Sequence, residues 1–470
     1  GIKWTYTSLP DREVEIGNSE HDPQNGPYTS SISKHTSGTI TVPSRLRGLP
    51  VTSIGSGAFY DCKNLSFVNI PDGIVSMGGA VFEGCRSLKE IRLPKGLKNI
   101  GPNAFSYCDL LERIEIPEGV KNIGAGAFYN CKSLLNMKIP NSVTSIDYNA
   151  FYGCNFYEYN NQGVVLVDGW AIGYTSWVHK ELELVDLRGI ADSAFELCDT
   201  LRKVVTPKDI AIPGNAFHKC QNLNTVIISE GTTVVGGNAF SSCHSLIHVS
   251  LPDSLQVIGS ESFYGCISLT GLTLPQHIET IGMRAFYGCD SLTGLILPSS
   301  ITEIGLDAFA QCHSLKSITI SKCFQICSVF GTRNSITNIT VMDGVTTIGG
   351  FCDCENLTSI SIPDSVTAID DYAFHNCSSL KNIQIPSSIN KVGGSAFDGC
   401  DEGLYDTESL PGVKLVDGWV VGYDASLSGD INLVGIRGIG CSSFQDCHAM
   451  TSITIPDSVS IIEKNSFWGC

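Results

Sequence analysis

Cysteine is the residue type in this chain with the greatest capacity for chemistry, because the 470-residue sequence contains twenty of them. A thiolate can attack an electrophile, bind a metal ion or form a disulfide. Sixteen of the twenty lie three residues after one of a series of regularly spaced phenylalanines, as Cys62 follows Phe59 and Cys108 follows Phe105. One active site or one metal site does not spread its ligands evenly along a whole chain. The spacing therefore indicates a structural repeat.

The sequence shows no other pattern that supports catalysis. It has no Gly-x-Ser-x-Gly, no His-Glu-x-x-His, no phosphate-binding Gly-x-x-x-x-Gly-Lys-Ser/Thr and no calcium loop. His244, His313 and His448 each follow a spaced cysteine directly, and their shared position in the repeat favours solvent-facing spacers. We therefore expect no catalytic residue, no cofactor and no metal site, and we predict that the protein is not an enzyme.

The phenylalanines of this pattern recur mostly every 23 residues. They define about seventeen units, with phenylalanine at positions 59, 82, 105, 128, 151, 195, 217, 240, 263, 286, 309, 330, 351, 374, 397, 444 and 467. Sixteen of the seventeen are followed by cysteine, and Phe330 is the exception.

Each unit contains the elements needed to hold its phenylalanine and cysteine inside a stack. The unit that starts at Cys266 reads CISLTGLTLPQHIETIGMRAFYG. The leucines of its first part end in a period-two alternation, which is typical of a short strand with one buried face. Pro275 ends this strand because it has no N–H, Gly282 permits a bend, and Phe286 points inward. Units too small to enclose a core must stack on each other, which predicts a right-handed, curved, β-rich solenoid.

The repeat resembles a known family. From Cys354 to Asn376 the chain follows almost completely the pattern C-x-S-L-x-x-I-x-I-P-x-S-V-x-x-I-G-x-x-A-F-x-G. This pattern is similar to the BspA-like, or treponemal-type, leucine-rich repeats of bacterial and some protist cell surfaces, and it covers about residues 48 to 470. The resemblance implies an extracellular or surface-attached protein that adheres to host or matrix proteins or to other microbes, with no catalysis in the repeat.

The regularly spaced cysteines are expected to be buried thiols. A disulfide between stacked units would pull the stack out of register, whereas a thiol can fill a corner of the core as a small apolar group with a weak donor. Four cysteines lie off the pattern: Cys323, Cys327, Cys352 and Cys441. The first three, with Cys354, have poor spacing for a four-thiolate zinc site, so a local disulfide or unpaired thiols are favoured. Cys441 is interpreted as a packing substitution.

The chain divides into two predicted regions. Residues 1–47 lack the repeat and contain the strand-like segments REVEI and TITVP, so we predict a β-rich cap over the first unit. Residues 48–470 form the solenoid. The sequence stops at Cys470 in the middle of a unit, and we expect the repeats to continue in a part of the protein that is not present.

Two units are longer than the others, near 155–194 and 401–443, and they resemble each other. The segments GVVLVDGWAIGY from Gly163 and GVKLVDGWVVGY from Gly412 align without a gap. Asp-Gly between two strand-like runs predicts a hairpin with a type I′ turn. These hairpins either keep the stack continuous or are raised to present aromatic anchors to a partner, namely Trp170, Tyr174, Trp419 and Tyr423.

A second candidate partner surface lies on the strands. The residues five and seven positions after each cysteine should face outward in two columns. In the early units these columns are rich in charge of alternating sign, and the candidate binding residues are Phe67, Glu90, Arg92, Arg113, Glu115 and Lys138. A third candidate surface, a glycan platform, is the outer edge where tyrosines directly follow a core phenylalanine: Tyr60, Tyr129, Tyr152, Tyr264 and Tyr287.

The charge of the chain limits its partners. Thirty basic residues stand against forty-seven acidic ones, a net charge of -17, so nucleic acid and anionic membrane surfaces would be repelled. The sequence also contains no apolar run of the length that spans a bilayer. We predict a secreted or cell-surface, adhesin-like protein that binds host, matrix or microbial macromolecules through an extended face. The alternative is a glycan-binding or cell-envelope scaffold protein.

Overall fold

The computed structural model describes residues 4–9, 13–17, 30–156, 158–322, 329–331 and 335–470. The chain forms two compact units. The first consists of Gly1–Leu201 and Ile210–Cys220, and the second of Arg202–Asp209 and Gln221–Cys470. Both are built from short β-strands joined by tight turns.

The first unit contains sixteen of the described strands. Their bounds are β1 Tyr6–Ser8, β2 Val14–Ile16, β3 Gly38–Thr41, β4 Arg45–Leu46, β5 Leu49–Ile54, β6 Leu65–Asn69, β7 Ser76–Met77, β8 Glu90–Arg92, β9 Asn99–Ile100, β10 Arg113–Glu115, β11 Asn122–Ile123, β12 Ser145–Ile146, β13 Val164–Val167, β14 Trp170–Tyr174, β15 Glu181–Glu183 and β16 Gly189–Ile190.

The second unit contains twenty of the described strands and a short 3-10 helix, Glu402–Leu404. The strand bounds are β17 Lys203–Val205, β18 Thr225–Ile227, β19 Val234–Val235, β20 His248–Ser250, β21 Val257–Ile258, β22 Thr280–Ile281, β23 Gly294–Leu297, β24 Glu303–Ile304, β25 Ser317–Ile320, β26 Asn338–Val341, β27 Thr347–Ile348, β28 Ser359–Ser361, β29 Ala368–Ile369, β30 Asn382–Gln384, β31 Lys391–Val392, β32 Val413–Val416, β33 Trp419–Tyr423, β34 Gly429–Asn432, β35 Gly438–Ile439 and β36 Met450–Thr454.

Strands from successive repeats pair in parallel and form separate sheets. In the first unit β3, β6, β8 and β10 form one sheet, and β9, β11 and β12 form another. In the second unit β23, β25, β26, β28 and β30 form a five-stranded sheet, while β19, β21, β22 and β24 form a four-stranded one. Residues alternate between buried and exposed along the strands, as in β8 with its buried Ile91. Each unit is therefore a stack of β layers, as the repeat predicts.

The core of each unit contains a ladder of stacked phenylalanine rings. Phe286 stacks on Phe263 with ring centroids 5.2 Å apart and on Phe309 at 5.1 Å. The turns that carry these rings pair through their backbones. For example, the N–H of Phe263 donates to the carbonyl oxygen of Ala285 in the next layer at 2.8 Å. One ring therefore lies above another because one turn is hydrogen-bonded to the next.

The glycine before the Ala-Phe turn is needed because the backbones of neighbouring layers come close together, not because the chain bends there. A Cβ at Gly282 would lie 2.4 Å from the backbone nitrogen of Ser260 in the neighbouring layer, so no side chain fits. The left-handed backbone of this turn occurs instead at Arg284 (φ 53°) and Gly288 (φ 70°). The prediction that Gly282 is needed for the bend is therefore wrong. The residue is needed because the layers come too close for a Cβ.

The N-terminal segment adds strands to the first unit. Both predicted strand-like segments are confirmed, since β2 lies within REVEI and β3 overlaps TITVP. β2 pairs in parallel with β5, and β3 pairs in parallel with β6, the first repeat strand. The indole of Trp4 meets the ring of Phe59 edge-on with centroids 6.1 Å apart, at the start of the phenylalanine ladder. The boundary between 47 and 48 stays a prediction.

Both long repeats contain the predicted antiparallel hairpins, β13–β14 and β32–β33. Asp168 and Gly169 have φ angles of 45° and 81°. Asp417 and Gly418 have 46° and 79°. Two successive positive φ angles are the mark of a type I′ turn, so the turn prediction is confirmed.

Each hairpin turn is clamped to the repeat before it by an arginine. In the first unit Asp168 Oδ2 accepts from the backbone N–H of Ile139 at 2.9 Å, and Arg188 Nη1 donates to the Ile139 carbonyl oxygen at 2.8 Å. In the second unit Asp417 and Arg437 make the equivalent bonds to Ile385, both at 2.7 Å. Side-chain bonds therefore join each hairpin to the repeat before it.

Candidate functional site

The cysteines form a column of thiols beside the phenylalanine ladder. All eighteen cysteines in the described residues carry thiols rather than disulfides. In most layers Sγ donates to the carbonyl oxygen of the phenylalanine one layer earlier, as Cys108 does to Phe82 at 3.3 Å and Cys289 to Phe263 at 3.4 Å. The interpretation of these cysteines as buried core thiols is confirmed. Cys154 is half-buried and Cys470 is exposed at the end of the chain.

Burial also suppresses the reactivity of these thiols. It raises the pKa of Cys312 to about 12 and the pKa of Cys266 well above its ordinary value. Because only the thiolate is an efficient nucleophile and metal ligand, the raised pKa disfavours reaction at these two buried thiols. Among the described residues no group of three or more His, Cys, Asp or Glu side chains is placed to hold a metal ion.

Two of the four off-pattern cysteines can be placed. Cys352 and Cys441 are both buried, and the packing interpretation of Cys441 is confirmed. Cys323 and Cys327 lie outside the described residues, so the alternatives of a disulfide, unpaired thiols or a zinc site there stay predictions.

The candidate binding residues of the early repeats define a surface, which we call the strand face: Phe67, Glu90, Arg92, Arg113, Glu115 and Lys138. In the parallel register Glu90 lies between Phe67 and Arg113, and Arg92 lies beside Glu115. The four charged residues of β8 and β10 are exposed, and Phe67 is half-buried. Positive and negative side chains therefore alternate both along the strands and across them.

Lys138 extends this surface by one more layer. It is exposed between the buried residues Met137 and Ile139, so the alternation continues although the segment is not a regular strand. Arg92 forms an ion pair with Asp72 in the turn after β6, with Nη2 3.7 Å from Oδ2. Within the described chain the other four charged residues of the strand face have no ion pair within 4.0 Å. Their charges remain available to a partner.

The hairpin tryptophans are not exposed, so the prediction that they anchor a partner is wrong. Trp170 is 4% exposed and Trp419 is 2% exposed. Each indole packs over the glycine that lies opposite it on the neighbouring strand. A Cβ at Gly189 would approach Trp170 Cζ3 to 2.4 Å, and one at Gly438 would approach Trp419 Cζ3 to 2.5 Å. Gly189 in the LRGI segment and Gly438 in the IRGI segment have no side chain, and this leaves the space in which the two indole rings are buried.

The hairpin tyrosines continue the phenylalanine ladder. The ring of Tyr174 stacks on Phe195 with centroids 6.4 Å apart, and its hydroxyl donates to the carbonyl oxygen of Glu196 at 3.1 Å. Burial raises the pKa of Tyr174 to about 12. In the second hairpin the ring of Tyr423 stacks on Phe444 with centroids 6.4 Å apart, and its hydroxyl donates to the carbonyl oxygen of Gln445 at 2.9 Å. These half-buried rings occupy the core position of a missing phenylalanine, so the alternative in which they are raised anchors is wrong.

The outer tyrosine edge is present and includes a member that the pattern missed. Tyr129 stacks on Tyr152 at 5.3 Å, and Tyr264 stacks on Tyr287 at 5.1 Å. Tyr107 also joins the edge, with its ring 5.5 Å from that of Tyr129. It lies two residues after its phenylalanine rather than one, which is why the spacing rule did not include it.

Sequence comparison places the chain in a family. The model of the BspA type leucine rich repeat region matches it over residues 39–162, 188–316, 233–350, 349–408 and 422–470. These segments cover most of the chain, which therefore belongs to the BspA-type leucine-rich repeat proteins. The predicted resemblance and the leucine-rich repeat solenoid fold are both confirmed. A search of curated protein sequences finds no match.

Several solved structures are similar to this chain. A leucine-rich repeat protein from Bacteroides ovatus is 25% identical, with 86% of this chain and 92% of that chain covered and a TM-score of 0.44. A leucine rich cell surface protein from Faecalibacterium prausnitzii is 23% identical, with coverage of 68% and 93% and a TM-score of 0.30. A leucine-rich repeat protein of T. pallidum is 20% identical, with coverage of 67% and 88% and a TM-score of 0.27.

The described part of the chain contains no helix that is both long and apolar enough to cross a bilayer.

Proposed function

We propose that this protein is a secreted or cell-surface, adhesin-like protein that binds a macromolecule through the strand face. The partner would be a host or matrix protein or the surface of another cell. Membership of the BspA-type repeat family supports a role in interaction, because stacked repeats present extended surfaces on which a large partner can dock.

The observation that carries the proposal is the set of exposed charges on β8 and β10, of which all but Arg92 lack an ion-pair partner in the described chain. Neighbouring parallel strands hold Glu90 beside Arg113 and Arg92 beside Glu115. A fixed lattice of alternating charges favours a partner with the complementary pattern and disfavours one with a single sign of charge. This pattern, together with the net charge of -17, is unsuited to nucleic acid.

The proposal can be tested by reversing one charge. The purified chain, fluorescently labelled, is applied to immobilised extracellular matrix and to cultured host cells at about 50 mM and about 500 mM NaCl, where screening differs strongly. We expect binding that weakens with salt, and an Arg113→Glu variant that binds about tenfold less, because a cation on the contact surface becomes an anion.

Lys121→Glu is the matched control, because Lys121 is exposed but precedes β11 in the other sheet. It makes the same change in net charge. Equal loss in both variants, or binding that ignores salt, would assign the interaction to net charge or to another surface and contradict the proposal.

A further inference from the structure

The stack of turns in the first unit is interrupted between Phe151 and Phe195. In the layer before the interruption the N–H of Phe128 donates to the carbonyl oxygen of Ala150 at 2.7 Å. The hairpin then takes the place of the next turn. As a result the backbone N–H groups of Asn149 and Phe151 have no acceptor among the described residues. We call this opening the layer gap.

The layer gap is a cavity of about 470 Å³. That volume is within the usual range for small-molecule sites. The described residues that line it include no lysine or arginine, and they include three tyrosines and three acidic residues: Tyr148, Tyr152, Tyr174, Asp147, Asp192 and Glu196.

Tyr152 presents a flat apolar wall to the gap. One face of its ring stacks on Tyr129, with centroids 5.3 Å apart and planes 17° apart. In an uninterrupted stack the opposite face would meet the following layer, but here it borders the cavity. The ring is 61% exposed, and Tyr148 beside it is 48% exposed. An exposed aromatic face of this kind suits a ligand with an apolar face of its own.

The carboxylates add acceptors. Asp147 Oδ1 accepts from Asn122 Nδ2 at 2.8 Å, and Asp192 Oδ1 accepts from Asn215 Nδ2 at 3.4 Å. Since an ionised carboxylate offers about four acceptor positions, both retain capacity for a ligand. Burial raises the pKa of Asp192, which reflects its partly enclosed position. The gap thus has acceptors on its side chains and unpaired donors on its backbone.

The second unit provides an internal comparison. The turn stack is interrupted again after Phe397, and the N–H groups of Ser395 and Phe397 also have no acceptor among the described residues. The side chains around this second interruption differ, since Gly394, Asp398 and Cys441 stand where the first has Tyr148, Tyr152 and Asp192. The aromatic wall and the Asp147/Asp192 pair therefore belong to the first gap and are not required by the hairpin.

We propose that the layer gap of the first unit binds a neutral saccharide. One sugar ring stacks its C–H face on Tyr152, donates hydroxyl hydrogen bonds to Asp147 and Asp192, and accepts from the N–H groups of Asn149 and Phe151. A saccharide fits because its hydroxyls both donate and accept, whereas an anion would be repelled by the carboxylates and a cation would leave the N–H groups unpaired. The site shares no residue with the strand face, so it does not rest on the function proposed above.

The test measures saccharide binding to the full chain by saturation-transfer NMR and calorimetry. The probes are glucose, galactose, mannose and N-acetylglucosamine, each as a monosaccharide and as a short oligomer. We expect at least one to bind saturably. Tyr152→Ala should weaken its affinity by about tenfold or more, and Asp192→Asn should weaken it as well.

The matched control is Tyr287→Ala, which removes an equivalent tyrosine from an uninterrupted part of the edge and should leave affinity unchanged. Thermal unfolding checks that each variant is folded. We expect Tyr152→Ala to fold normally because Tyr152 is exposed. The proposal is overturned if no saccharide probe binds or if Tyr152→Ala binds the saccharide with normal affinity. Trilysine is included as a cationic probe. Binding of trilysine that depends on Tyr152, without binding of the sugars, would also overturn the proposal. Unchanged macromolecular binding by Arg113→Glu, together with normal sugar binding, would contradict only the function of the strand face.

Discussion

Arg188 and Asp168 form the ion pair that holds the first hairpin in the stack, with Nη1 2.6 Å from Oδ2. The guanidinium also donates to the carbonyl oxygens of Ile139 and Pro140, at 2.8 and 3.1 Å. One arginine thus satisfies backbone groups of the preceding repeat and fixes the Asp-Gly turn. The second hairpin repeats the arrangement with Arg437 and Asp417.

Replacing Arg188 by alanine should loosen the first hairpin. Its hydrogen bonds are charge-assisted but partly exposed, so we expect a loss of about 1–2 kcal/mol in local unfolding free energy. Amide hydrogen exchange at Ile139 measures it, because that N–H donates to Asp168. Arg113→Ala, with an exposed arginine outside any ion pair in the described chain, is the control. Unchanged exchange at Ile139 would show that the clamp does not stabilise the hairpin.

Truncation of one ring in the phenylalanine ladder should be strongly destabilising. Phe263 is fully buried and stacks between Phe240 at 5.3 Å and Phe286 at 5.2 Å. Phe263→Ala should lower the free energy of unfolding by about 3–5 kcal/mol in chemical denaturation, because it leaves a cavity that the layers cannot close. Ile267→Ala removes an exposed apolar side chain and should have little effect. A loss below about 1 kcal/mol for Phe263→Ala would be incompatible with a buried ring.

A methyl group at Gly189 should disrupt the first hairpin. Its Cβ would lie 2.4 Å from Trp170, whose indole is buried. We expect Gly189→Ala to destabilise the protein by about 1–3 kcal/mol, the usual effect of overpacking. Gly173→Ala on the same hairpin is the control, because a Cβ there meets nothing within 4 Å. If both substitutions have the same effect on the melting temperature, backbone flexibility rather than packing is responsible.

The buried thiols should make the protein less stable in alkaline solution. Burial raises the pKa of Cys198 and Cys312 from 9.0 to about 12. Between about pH 9 and pH 12 the folded chain therefore binds more protons than the unfolded chain, and the free energy of unfolding falls as pH rises. Each such thiol contributes a decrease of about 1.4 kcal/mol per pH unit in that window.

Urea denaturation at about pH 8 and about pH 10.5 measures this effect, and Cys312→Ala should show a smaller decrease than the wild-type chain. A midpoint that stays constant over this range would contradict the burial of the thiols.

The repeat made most of the fold predictable. A period of 23 residues fixes which side chains recur in each layer, so the phenylalanine ladder, the buried thiols and the outward strand residues all follow from position alone. The type I′ turns were equally predictable, because Asp168-Gly169 is a local signal that needs no tertiary context.

The predictions failed where a side chain depends on what lies opposite it. Trp170 has the sequence context of an exposed hairpin, but its exposure is decided by Gly189, a residue nineteen positions later on the neighbouring strand. The role of Gly282 was misassigned for a similar reason, since the restriction comes from Ser260 in another layer. Tyr107 shows the same limit, because its ring reaches the tyrosine edge from a different position in the repeat.

The sequence by itself determined the layered β architecture, the family and the burial of most of the spaced cysteines, because each depends on a residue type that recurs at a fixed position. Only the tertiary structure decided which aromatic rings are exposed and where the stack of turns is interrupted. Those properties arise from contacts between layers, as when Tyr174 fills the place of a missing phenylalanine while Tyr152 keeps an open face. Spacing along the chain fixes the composition of each layer, but the fit between layers decides what is left for a ligand.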